Sequence, residues 1–147
     1  MASQRDVLLT TLVSRIDAIS GISASLRSAS QSVGSAVVAI VYPDSEDKRL
    51  ANNKTYDCTL RLGVLLIVRQ EDADSDLDAS NPYRYLDRQL VKVEKVIHNP
   101  DSWGIDPDYT DVEMTGFEVE DPSDDNEFMC RLFITFQYRH DYQNPEA

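Results

Sequence analysis

Apolar residues recur at helical spacing near the start of the chain, where Leu8 or Leu9, Leu12, Ile16 and Ile19 fall on one face. This spacing predicts a helix from about Ser3 to Ser20, with Ser3 as N-cap, Asp6 three residues on, and Gly21 at the C′ position. The stretch Ile22 to Ser35 is rich in serine and glycine, with Arg27 near its middle. It reads as a loop or irregular edge that Leu26 and Val33 tack down. The β-branched run Ala36 to Val41 then predicts a short strand ended by a turn at Pro43-Asp44.

A longer strand is predicted from Thr55 to Arg69. Tyr56, Cys58, Leu60, Leu62, Val64, Leu66 and Val68 alternate onto one face. On the other, Asp57, Thr59, Arg61 and Gly63 give way to Leu65 and Ile67, so the far half is apolar on both sides. An antiparallel sheet with one wet face alternates cleanly, so something must cover the second face here. After the acidic loop Gln70 to Ser80, Asn81-Pro82 reads as N-cap and N1 of a second helix reaching about His98. Leu86, Leu90, Val93 and Ile97 form its buried stripe, while Arg84, Arg88, Lys92 and Lys95 line another face. Asn99-Pro100 stops it, and a polar stretch with Trp103 and Tyr109 follows.

The third strand is expected from about Thr110 to Glu120, with a β-bulge at Gly116, where the apolar phase slips. Asp121 to Asn126 is a turn. Strand Glu127 to His140 alternates cleanly, with Phe128, Cys130, Leu132, Ile134, Phe136 and Tyr138 on one face and Met129 and Phe133 on the other. The predicted class is therefore α+β: a two-layer domain spanning residues 1–147, an antiparallel four-stranded sheet with two helices packed on one face, and a short polar tail at 141–147. Two helices are too few to bury both sides of the sheet, so the apolar second face, with Leu65, Ile67, Met129 and Phe133, is a candidate contact surface.

Charge changes the picture more than composition does. The chain has 147 residues, 41% hydrophobic and 27% charged, which is ordinary for a globular protein, but its net charge is −12. Such a surface repels phosphate backbones and anionic lipid, arguing against docking through a basic patch. Most of the acids lie in loops and around the third strand, among them the run Glu71, Asp72, Asp74, Asp76 and Asp78. The bases concentrate on the second helix and within strands, at Arg61, Arg69, Arg131 and Arg139. A solvated helix face is the simplest account of that stripe, and contact with a partner is the functional one.

Candidate chemistry is sparse. No apolar segment is long enough to span a bilayer, and Met1 to Leu12 has no secretory character. Cys58 and Cys130 read as reduced core thiols of a cytosolically made protein. His98 and His140 are the only histidines, and no nucleotide-binding, hydrolase or zinc-protease motif occurs. His98 suits the C-terminal end of a helix. A metal site from Cys58, Cys130, His98 and His140 lacks ligand spacing. The run Glu71 to Asp78 alternates like an oxygen-ligand loop, but without the central glycine and terminal glutamate of an EF-hand. The expectation is a protein with no catalytic residue, cofactor or metal.

Taken together, the helix Arg5 to Ile19, the strand ending Ile40-Val41-Tyr42-Pro43, the strand Tyr56 to Arg69, the helix Tyr83 to Ile97 and the closing strand Arg131 to Tyr138 resemble the tail terminator (tail completion) proteins of tailed bacteriophages. The likeness is one of pattern and spans nearly the whole chain. It implies a hexameric ring on the end of the completed tail tube, made in the host cytoplasm and carried at the tail–neck junction of the virion. Its implied partners are further copies of the chain, the tail tube protein and a neck or head-completion protein, with DNA passing but not held. The acidic segments Glu71 to Asp78 and Asp101 to Asp125 depart from the family pattern, and an acidic lumen built from such loops suits DNA passage. A different head–tail connector or neck protein is the nearest alternative. A small cytosolic enzyme or calcium-binding module is the more distant one.

Overall fold

A computed structural model describes residues 3–26, 37–52, 54–69, 82–99, 102–104, 110–120 and 127–141. Helix α1 (Gln4–Asp17) starts where the sequence places it. Ser3 has extended backbone and its hydroxyl accepts from the Asp6 N–H at 3.1 Å, so one of the unpaired first-turn donors is satisfied. The helix ends earlier than expected. Ala18 is its C-cap, and Gly21, at φ +85°, belongs to the turn into the first strand rather than to the C′ position.

That first strand corrects the sequence reading. Ile22–Leu26 is β1, not loop, and it pairs in parallel with β2 (Val37–Leu50). Strands β3 (Thr55–Arg69), β4 (Asp111–Glu120) and β5 (Glu127–Asp141) complete a sheet of order β1-β2-β3-β5-β4. The sheet is thus five-stranded and mixed, not four-stranded and antiparallel, although every pairing except β1 with β2 is antiparallel.

Pro43-Asp44 is not a turn either. It forms a bulge inside β2, beyond the last residue that pairs with β1, and proline is tolerated at bulges because no ladder N–H is needed there. The extra residue switches the helix-facing positions from Val37, Ala39 and Val41 to Glu46, Lys48 and Leu50. In β4 the predicted bulge lies between Met114 and Gly116.

Helix α2 (Pro82–Ile97) buries Leu86, Leu90, Val93 and Ile97, as its spacing predicts. With Leu8, Leu12 and Ile16 of α1 these side chains pack onto one face of the sheet, against Val64, Leu66, Leu132, Ile134 and Phe136. Each such side chain contributes about 1.5–3 kcal/mol by leaving water. The architecture is the expected two layers, with both helices on one side. Among the described residues no helix is long and apolar enough to cross a membrane.

Trp103 seals the layer where α2 ends. Its ring meets Phe136 edge-on at 4.9 Å between centroids, and the Arg15 guanidinium lies 3.7 Å from its centroid. Arg15 also donates to the carbonyls of Val96, Asn99 and Ser102 at 3.0–3.1 Å, capping the C-terminal end of α2 from the neighbouring helix.

Candidate functional site

The second face of the sheet carries the positions that alternate away from the helices. Its rows follow from strand register: Val38 beside Ile67 and Met129, Ile40 beside Leu65 and Arg131, and Tyr42 beside Gly63 and Phe133. No described helix packs on these rows, and the Phe133 ring is 37% exposed. Gly63 leaves space that the Tyr42 ring fills, and Arg131 stands 5.9 Å from the centre of that ring. Toward the other end the face turns polar, with the ion pairs Arg61–Asp47 and Arg139–Asp57. Such exposed pairs add little stability. The apolar half is where sequence periodicity placed it, and Leu65, Ile67, Met129 and Phe133 all belong to it.

The sequence reading missed the rim of this surface. Edge strand β4 points Asp111, Glu113 and Glu118 onto the open face, opposite Gln137, Thr135 and Arg131 of β5. All three acids are exposed. The signal was present as acids at alternating positions, but the bulge at Gly116 breaks the alternation between Glu113 and Glu118.

On the far side of the molecule, α2 exposes Arg84, Arg88, Lys92 and Lys95 as one stripe, with Asp87 and Val91 among them. The four cations therefore share a face, as their spacing predicts. They do not approach the open sheet face of their own chain, because α2 packs on its opposite side. Glu71, Asp72, Asp74, Asp76 and Asp78 lie outside the described residues, as do residues 121–126, expected as a turn, and 142–147 of the expected tail 141–147, whose first residue, Asp141, belongs to β5.

A separate polar cluster sits under the first turn of α1. The β2 bulge carries Glu46 inward, where Arg5 grips its carboxylate with two hydrogen bonds at 2.8 and 2.9 Å and the Tyr138 hydroxyl donates a third at 2.7 Å. Burial pushes the Glu46 carboxyl upward, but these hydrogen bonds and the charges of Arg5 and Lys48 outweigh it, so it titrates below its ordinary range. Tyr138 is driven well above the ordinary phenol range by burial and by its bond to Glu46. The same hydrogen bond to Glu46 raises Arg5 despite its partial burial. Next in line, Lys48 Nζ donates to His140 Nε2 at 2.8 Å, and His140 Nδ1–H donates to the Asp141 carbonyl at 2.7 Å.

An open cleft of about 690 Å³ borders this cluster, lined by Ser3, Arg5, Leu9, Leu26 and Glu46 among others. Of its charged groups, Arg5, Glu46 and Lys48 are engaged with one another, and they form no pair of nucleophile and base. Cys58, nearby, has its thiol pushed up by burial and by the Glu46 charge, which disfavours the reactive thiolate. Cys58 pairs with Tyr138 in register, while Cys130 pairs with Leu66 far along the same strands, so the two buried thiols do not converge with His140 on one site. Among the described residues no group of histidine, cysteine and acidic side chains has the arrangement of a metal site. The exposed His98 hydrogen-bonds through its backbone N–H to Glu94 and extends the end of α2.

No protein-family model and no curated protein sequence matches this chain.

Proposed function

We propose that this protein is a non-catalytic structural component of a tailed-phage virion, forming a ring that caps the tail tube and joins it to the neck. Six copies is the number that the family resemblance implies. One observation carries the reading: the sheet face on which no described helix packs bears the half-buried Ile40, Leu65, Ile67 and Met129 and the exposed Phe133, a surface suited to a protein partner. A ring supplies one to every subunit, because a heterologous contact that closes leaves no apolar face in water. The ring ends tube growth by occupying the surface on which the next tube ring would stack, and it offers a new surface to the head. The long runs of acid favour a channel through which DNA moves without being gripped.

The test is electron microscopy of polymerising tail tubes with the purified protein added. Tubes of capped, limited length with ring-shaped density at one end are expected. Tubes that lengthen as before, or protein that binds the head connector instead, would overturn the proposal. The second of those results would favour a neck or head-completion protein.

A further inference from the structure

The helix stripe and the open sheet face match each other in charge and apolar content. On the sheet, the exposed Phe133 ring lies between Glu113 and Glu118, since its register partner on β4 is Gly116. On α2, the exposed Val91 lies between Arg84 and Arg88 on one side and Lys92 and Lys95 on the other. The span from Arg84 to Lys95 along a helix is about 16 Å, so the stripe reaches past both acids, which the bulge sets about 13 Å apart, level with Thr135 and Arg131 of β5. One surface is acid, aromatic, acid, with Arg131 beside Glu118 as its one cation in these rows; the other is base, aliphatic, base. Asp87 is the single exposed acid between Arg84 and Lys95, with Glu94 half-buried, so the helix face stays net positive on a chain whose total charge is −12.

Within one chain these surfaces cannot meet, because α2 packs on the side of the sheet opposite to Phe133. We propose that the occupant of the open sheet face is a second copy of this chain, docked head to tail by the outer face of its α2. Val91 of one copy covers Phe133 of the next, and the cations of the stripe meet Glu113 and Glu118. The contact is heterologous, so every copy has one donor surface and one acceptor surface to offer. It closes into a ring when its rotation divides a full turn and extends as a filament otherwise. The proposal rests on the ring-forming reading above and names the surfaces that would build the ring. Charge complementarity of this kind also fixes register, since a slip of about 6–7 Å, two strand residues, sets acid against Val91 and Phe133 against a cation. The acids on β4 have a second, simpler role in blocking edge-to-edge pairing of the sheet, and the experiment below separates the two.

Charge reversal decides it. One variant carries Glu113→Lys with Glu118→Lys, and the other carries Arg88→Glu with Lys92→Glu. All four positions are exposed, so both chains are expected to keep the wild-type melting temperature. In sedimentation velocity, the wild type is expected to self-associate at about millimolar concentration or below, more weakly as salt rises. Each variant alone sets like charge against like and is expected to associate about tenfold more weakly or worse. An equimolar mixture restores both kinds of contact in alternation and is expected to recover the wild-type association. Should either chain fail to fold, Glu113→Gln with Glu118→Gln is expected to weaken association in the same direction by a smaller factor, since it removes the attraction without adding repulsion.

Single variants that associate like the wild type, a mixture that stays dispersed, or a wild type that stays monomeric at millimolar concentration would each overturn the interface. A block to edge pairing alone predicts the reverse for the β4 variant, in which association would be unchanged or stronger. Failure of the tube-capping test with rescue intact removes the virion role and leaves this interface standing. Capping by a chain that shows no rescue does the opposite.

Discussion

The Tyr42 ring occupies the space above Gly63, its partner in register on β3, so closely that a Cβ at position 63 would overlap the end of the ring. A glycine inside a strand costs backbone entropy and offers no side chain to pack, and an aromatic neighbour on the next strand recovers part of that loss. Here the pair also shapes the open face, because Tyr42 reaches toward Arg131 and flanks the row that ends at Phe133.

The first prediction follows from that overlap. Gly63→Ala is expected to lower the unfolding free energy by about 1–2 kcal/mol, because the added methyl drives Tyr42 out of its place. In a Tyr42→Ala background the same change is expected to be neutral or to stabilise by about 0.5 kcal/mol, as alanine is the better strand residue. Urea denaturation of the four proteins reads the coupling. Additive losses would show that Tyr42 does not rest on Gly63.

Arg15 and Trp103 give the second. The guanidinium stacks on the indole while its nitrogens reach three backbone carbonyls around the end of α2, a combination that needs a flat, multiply donating cation. Arg15→Lys keeps the charge and loses the fork, and is expected to cost about 2 kcal/mol. Tryptophan emission, from the chain's single indole, should shift to the red in the variant as Trp103 gains water. An unchanged spectrum and melting temperature would mean that the clamp contributes nothing.

How far the sequence discloses this structure depends on how local each signal is. The stripes of α1 and α2 and the alternation in β3 and β5 are set by neighbouring residues, and the structure follows them closely. Strand β1 hides in its composition: Ile22, Ala24 and Leu26 do alternate with Ser23 and Ser25, but five residues in a serine-rich stretch carry too little apolar weight. The bulge at Pro43-Asp44 changes which side chains face inward, so Glu46 looks like a turn residue until its partners Arg5 and Tyr138 arrive from distant parts of the chain. Trp103 is misleading for the same reason, since its burial is decided by Arg15 and Phe136. On the candidate surface, the apolar rows and the basic stripe are legible from periodicity. The acids of β4 become a rim only once that strand is known to lie at the sheet edge.

Glu46 supplies the third prediction, a stability that depends on pH. Its folded carboxyl titrates below the ordinary value of 4.5, so the unfolded chain takes up the proton first as pH falls. The stabilisation is complete above about pH 4.5 and is lost as pH drops toward the folded value. Tyr138 acts in the opposite sense. Its phenol is raised above the ordinary 10.0, so its contribution is complete below about pH 10 and declines above it. Glu46→Gln is expected to lower the melting temperature at neutral pH and to make its fall below pH 4.5 shallower than in the wild type. Tyr138→Phe is expected to flatten the alkaline limb in the same way. Melting curves that keep the wild-type slope on both sides would show that neither group couples folding to protons.

The last prediction concerns DNA. If the chain caps a tube through which a genome passes, its surface must give a duplex no salt-dependent grip, because each phosphate neutralised by a lysine or arginine releases counterions and adds affinity. The most demanding case is the free protein, in which Arg84, Arg88, Lys92 and Lys95 are exposed together. Two considerations oppose binding there. The field of a chain with net charge −12 repels a duplex over a screening length of about 8 Å at physiological salt, and over longer distances in dilute buffer. The stripe also spans only about 16 Å of helix, enough for a few phosphates and no more. Electrophoretic retardation or fluorescence anisotropy at low salt, where a basic site is exaggerated, is therefore expected to show no binding of duplex DNA at micromolar protein. Micromolar binding that weakens steeply with salt, and that disappears in the Arg88→Glu, Lys92→Glu chain, would reverse the assignment of the stripe. It would then be a surface for gripping DNA rather than for holding the next subunit, and the chain would fit a neck protein better than a tube cap.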